Sequence, residues 1–119
     1  MICIKNIYVE HIYLACGRTD IRKSINGLAA IVHKNFRLDP YSNNIFLFCG
    51  RKADRIKALL WDGNGFLLMY KRLDEGRFQW PRTKQDVQKI SEQQLRWLMD
   101  GLDIEQPKAL KNTSRKLAI

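Results

Sequence analysis

The chain has 119 residues, 45% of them hydrophobic and 28% charged, which suits one compact domain with a buried core and leaves little room for a second. Its formal net charge of +9 makes polyanions the expected partners, nucleic acid first among them, and carries no information about fold. Cys3, Cys16 and Cys49 are odd in number and lack metal-ligand spacing, which argues against a disulfide framework and fits a reducing cytosol, while Lys5 and Glu10 interrupt the N-terminal apolar residues and no stretch reaches membrane-span length.

In chain order, Ile2, Ile4, Ile7, Val9, Ile12 and Leu14 read as extended structure, broken at Cys16-Gly17-Arg18-Thr19. Thr19 or Asp20 is the expected cap of a first helix, with Ile21, Ile25, Leu28, Ala29 and Val32 as its apolar stripe and an end near Asn35. Asp39-Pro40 and Ser42-Asn43-Asn44 mark a loop. A meander of about four strands follows: Ile45–Cys49, Ile56–Trp61, Phe66–Leu73 and Arg77–Trp80. The second and third flank Asp62-Gly63-Asn64-Gly65, a hairpin signal that predicts a type I′ turn. Ser91-x-x-Gln94 is a capping box for a second helix carrying Leu95, Leu98, Met99 and Leu102, with Gly101 at its C-terminal cap. Residues 1–105 are read as one domain and 106–119 as a basic, flexible tail.

The excess charge is concentrated. Residues 51–84 hold nine Lys/Arg against four Asp/Glu, more than half of the net charge, where the strands are expected. Alternation puts Arg55, Lys57, Trp61, Phe66, Tyr70 and Arg72 on one face of the hairpin and Ile56, Ala58, Leu60, Leu67, Met69 and Leu73 on the other, with Lys71 among them, whichever of two registers the turn selects. The first face is either a basic platform with aromatic groups for backbone and bases, or core beneath the first helix with only its basic end in solvent. Arg18, Arg22 and Lys23 beside a helix N-terminus form a second candidate phosphate site, unless Asp20 and other acids neutralise them.

Signals for catalysis are weak. Asp20, Asp54 and Asp62 are the carboxylates a metal-dependent nuclease would have to assemble, and each has a simpler reading as cap, ion-pair partner or turn residue. His11 and His33 have no ligand-like spacing, and no Walker or G-x-G-x-x-G motif is present. No cofactor, metal or catalytic residue is expected.

Strings of sequence carry more than composition does. Ile12 through Ser24 (IYLACGRTDIRKS), Gly27-Leu28-Ala29, Asp39-Pro40, Ile45 through Lys52 (IFLFCGRK), Asp54-Arg55-Ile56-Lys57, Trp61-Asp62, Gly65-Phe66, Tyr70-Lys71-Arg72-Leu73, Glu75-Gly76-Arg77-Phe78 and Trp80-Pro81 together resemble the TnpB (second open reading frame) accessory protein of the bacterial insertion-sequence family numbered sixty-six. The resemblance covers roughly residues 10–103. It departs at Asn26, where Asp is frequent, and at Asn43-Asn44, where Ser-Gly is common. It implies a non-catalytic bacterial protein that accompanies a separately encoded transposase.

The expected fold is α+β: an antiparallel sheet of four to six strands, the first helix on one face and the C-terminal helix over an edge or that same face. The expected function is assistance to DNA transposition in the cytoplasm. DNA would be contacted through Arg18, Arg22, Lys23, Arg51, Lys52, Arg55, Lys57, Lys71, Arg72 and Arg77, and the transposase through an apolar strip near Trp97. The alternatives are an adaptor that contacts the transposase without DNA, and a metal-dependent nuclease.

Overall fold

The alternating aliphatic residues at the start form three strands, β1 (Ile2–Ile4), β2 (Ile7–Val9) and β3 (His11–Ala15), in a computed structural model that describes residues 2–4 and 6–111. They are followed by α1 (Ile25–Lys34), β4 (Asn44–Cys49), β5 (Arg55–Trp61), β6 (Phe66–Arg72), β7 (Val87–Ile90) and α2 (Glu92–Met99). β1 and β2 pair as a separate antiparallel ribbon. The other five strands form one sheet in the order β6-β5-β4-β3-β7.

The fold is α+β as expected, but the sheet is mixed, which corrects the antiparallel expectation. β3 and β4 run parallel, with Ile12 beside Ile45 and Leu14 beside Leu47. The reason is connectivity: α1 lies between these two strands in sequence, and a helix crossover carries the chain back to begin the next strand at the same end. β4, β5 and β6 are the expected antiparallel meander. The fourth strand expected at Arg77–Trp80 does not form. Phe78 and Trp80 are buried and Gln79 is exposed, so the alternation was real. These side chains join the core, and the local anchors are single bonds: Phe78 N donates to Ala53 O at 2.7 Å and the Trp80 indole donates to Ala15 O at 2.8 Å. The sheet's other neighbour is β7, antiparallel to β3, a four-residue strand with only Val87 and Ile90 as apolar signal.

Opposite parities on the strands feed two cores. Phe46, Phe48 and Leu59 pack against Leu28 and Val32 of α1. Leu14, Ile45, Leu47, Ile56 and Leu60 face the other way, with Phe78, Trp80, Leu98 of α2 and Ile104. The C-terminal helix therefore covers the face opposite α1, not an edge or the same face. β4 is buried on both faces, which explains why Ile45–Cys49 is continuously apolar. Each fully buried Leu or Val on α1 contributes about 1.5–3 kcal/mol.

Three local details differ from expectation or refine it. α1 starts at Ile25 with Ser24 as cap, whose side chain makes no capping bond, and not at Thr19 or Asp20. Asp20 instead closes a turn of its own, accepting from Arg22 N at 3.1 Å. The hairpin takes the register in which Trp61 faces Phe66 and Arg55 faces Arg72, turning at Gly63-Asn64. Of those two residues only Gly63 has positive φ, 97°, which is the pattern of a II′ turn and not the expected I′. α2 keeps its capping box, and Gly101 (φ 84°) ends it with Gly101 N on Leu98 O and Leu102 N on Trp97 O, a Schellman motif. Among the described residues no helix is long and apolar enough to cross a membrane. Part of the expected tail, residues 112–119, lies outside the described residues.

Candidate nucleic-acid interface

The parallel pair decides where the cations go. β3 and β4 end at the same end of the sheet, where β5 begins and β6 finishes, since Cys49 faces Ile56 and Arg55 faces Arg72. Three connecting segments meet there. Thr19 N donates to Cys49 O at 2.8 Å, Gly17 N to Pro81 O at 2.8 Å, Cys16 N to Asp86 O at 3.0 Å, and Leu73 N to Asp54 O at 2.8 Å. The segment before α1 is drawn in by Lys57, whose ammonium donates to Lys23 O at 2.8 Å. Gly27 permits this close seating, because an added Cβ would stand 3.2 Å from Lys23 Cβ.

The two groups of basic residues read from the sequence are thus one. Arg18, Arg22 and Lys23 come from the β3–α1 segment, Arg51 and Lys52 from the β4–β5 turn, and Arg55 and Lys57 from β5. Lys71 and Arg72 close β6, and Arg77 follows on the next segment. Arg82 and Lys84 join them and were missed, because that segment was given no position once its strand pattern ended at Pro81. Arg82 Nη2 donates to Arg51 O at 3.4 Å. In total, residues 16–23, 50–57 and 70–86 hold twelve Lys/Arg against five Asp/Glu. The rest of the described chain holds six against seven. Among the described residues the cationic excess therefore lies at one end, with Asp103 and Glu105 bordering it at Arg82.

Most of these cations face solvent. Arg18, Arg22, Lys23, Arg51, Lys52, Lys71, Arg72, Arg77, Arg82 and Lys84 are exposed, and Arg55 and Lys57 are half-buried. Among the described residues, the ion pairs at this end are Arg22–Asp20 and Arg55–Asp54. The first is bidentate, with Arg22 Nε and Nη2 at 3.0 and 2.9 Å from the two carboxylate oxygens. Those hydrogen bonds hold the Asp20 carboxyl down at about 2 and push the Arg22 guanidinium up. Arg22 is therefore the cation most neutralised by its own fold. The second pair is long, 3.9 Å, and Arg55 Nε is a buried donor without a hydrogen-bond partner. Beside it, a cleft of about 180 Å³ is lined by Ile21, Gly50, Arg51, Lys52, Asp54 and Arg55. Ala53, between Lys52 and Asp54, holds a left-handed φ of 58°, a conformation that costs a non-glycine residue about 1 kcal/mol or more.

The aromatic part of the platform lies elsewhere. Trp61 and Phe66 flank the hairpin turn, six residues along the strand from Arg55 and Arg72, or roughly 20 Å at 3.3–3.4 Å per residue. There Trp61 and Phe66 meet edge-on at 4.9 Å between ring centroids, and Tyr41 stands edge-on to Trp61 at 5.0 Å and tilted against Phe66 at 5.3 Å. Phe66 and Leu68 pack against the core beneath α1. The core reading holds for Phe66 and Leu68, whereas half-buried Trp61 sits outside that core against Tyr41, and the basic end is in solvent. Tyr70 alone shares the cationic end, 54% exposed, with the Lys57 ammonium 5.8 Å from its ring centroid. Asp62 also belongs to the turn, where it accepts from Gly65 N at 3.1 Å, so Asp20, Asp54 and Asp62 do not converge. Among the described residues no group of three His, Cys, Asp or Glu is placed to hold a metal ion. Trp97 stands apart, half-buried on α2, with Leu102 exposed just beyond it.

The fold is a small α+β domain with both sheet faces covered and, among the described residues, a cationic excess at one end. The chain belongs to the family described as IS66 Orf2 like protein, whose model matches residues 10–109, including every basic residue of that end. It is thus an insertion-sequence accessory protein, as the resemblance in its sequence implied. Among its relatives is the uncharacterized protein y4hO of Sinorhizobium fredii (strain NBRC 101917 / NGR234), 38% identical over 96 residues, 81% of this chain and 84% of the relative. The uncharacterized protein y4jC of the same strain is 36% identical over 92 residues, 77% of this chain and 79% of the relative. No solved structure matches the chain significantly.

Proposed function

We propose that this protein assists transposition by holding DNA backbone against its cationic end, and that it catalyses no strand chemistry itself. The convergence of twelve basic side chains from three separate segments against five acids carries this reading. Scattered cations on a basic protein attract polyanions weakly, whereas cations gathered on one surface neutralise several phosphates at once and release their counterions. The contacts come from exposed Arg and Lys at the ends of strands and in loops, which suits phosphate positioning and not base readout in a groove. Titration of a labelled duplex at low salt tests it: a steep, salt-sensitive rise in anisotropy is expected, and a flat titration refutes the idea.

A second reading, an adaptor that grips the transposase, draws support from the half-buried Trp97 in the last turn of α2 and the exposed Leu102 just past its end. Trp97→Ala then abolishes co-purification with the transposase and leaves DNA binding intact.

A further inference from the structure

A cavity of about 660 Å³ lies on the α2 side of the sheet, at its β7 edge. That is ample for one nucleotide-sized ligand. Trp80, Pro81 and Ile104 supply apolar lining, and Gln79, Gln85 and Gln88 contribute carboxamides. Gln88 pairs with Leu14 across the ladder and so shares the face that Leu14 presents to the core containing Leu98. Arg82 stands on the lining, and Asp103 and Glu105 complete it.

The walls are held in place before any ligand arrives. Trp80 is anchored to Ala15 O, and Pro81 O accepts from Gly17 N. Gln94 Nε2 donates to Ile104 O at 3.3 Å and Gln106 Nε2 to Asp103 O at 3.0 Å. None of the three lining glutamines is part of these ties.

The lining selects its ligand chemically. Two carboxylates repel a phosphate, so the cavity is not an extension of the phosphate surface. Carboxamides offer donors and acceptors together, which matches the mixed edge of a nucleobase, and carboxylates accept from exocyclic amines. Trp80, Pro81 and Ile104 cover the ring. Arg82 and Lys84 meanwhile join this cavity to the cationic end without a break in the chain. We infer that the cavity takes one unpaired nucleobase of a DNA whose backbone lies on the cationic end, so that the protein recognises single-stranded overhangs or opened termini. This rests on the proposed DNA-backbone binding. A basic side chain of a partner protein would also satisfy Asp103 and Glu105, but it would leave Arg82 opposed and the carboxamides underused.

The test compares two labelled DNAs with equal numbers of phosphates, one blunt and one with a three-nucleotide overhang, by anisotropy at one salt concentration. The overhang is expected to bind about tenfold more tightly, the scale of one well-held base. Gln79→Ala/Gln88→Ala is expected to erase that preference while keeping the blunt-duplex affinity, which also reports that the variant is folded. Equal wild-type affinity for both DNAs overturns the inference and leaves backbone binding standing. Absence of binding to either DNA overturns both. A preference that survives the double variant, alone or with loss of transposase co-purification, overturns the inference by placing the base elsewhere.

Discussion

If the cationic end holds phosphates, removing its cations has to change the salt dependence of binding and not just its strength. Arg51, Lys52 and Arg72 are the choice for this, because all three are exposed and, among the described residues, have no carboxylate within ion-pair distance. Arg22 is a poor choice, since Asp20 already occupies two of its donors. Each phosphate contact contributes about 0.9 to the slope of log affinity against log salt, so replacing all three by Ala lowers the slope by about 2.7. Between about 50 and 200 mM salt the wild type then loses roughly fortyfold more affinity than the variant does. Lys108→Ala/Lys111→Ala is the control, since both are exposed and come from outside the three segments that supply that end's cations. Anisotropy titrations across a salt series read both slopes. Equal slopes for the triple variant and the wild type, or an equal loss in the control per charge removed, would show that net charge and not its placement governs binding.

Three further outcomes follow from individual contacts. Trp80→Phe removes the donor to the buried Ala15 carbonyl, and leaving that oxygen unpaired is expected to cost about 1–3 kcal/mol in urea unfolding; an unchanged midpoint refutes the anchor. Arg22→Ala should let the Asp20 carboxyl rise from about 2 toward its ordinary 3.8, seen as an upward shift in its NMR titration. Because the folded value is the lower one, whatever stability the pair adds is present above 3.8 and is lost as pH falls through about 2. Burial pushes the Cys49 thiol up to about 11, so at mildly alkaline pH a thiol reagent should label exposed Cys3 readily and Cys49 only after denaturation; equal rates in the native protein contradict its burial.

The sequence alone determined what depends on near neighbours. Hairpin faces, the capping box at Ser91, the glycine that ends α2 and the apolar stripe of α1 are set by periods of two and 3.6 and by local backbone bonds, so they were legible in the order of residues. The family was legible too, from strings that span most of the chain. Tertiary structure decided everything that depends on which segments meet. Arg77–Trp80 alternates like a strand, yet its buried side chains join the core without a ladder. Val87–Ile90 is a weak pattern that pairs because β3 has a free edge. Above all, Arg18 and Lys23 lie some thirty residues before Arg51 and Arg55 and join them only because the α1 crossover makes β3 and β4 parallel, bringing both strand ends to one end of the sheet. Local sequence sets how many charges a chain carries, whereas strand direction, fixed by long-range pairing, sets where they gather.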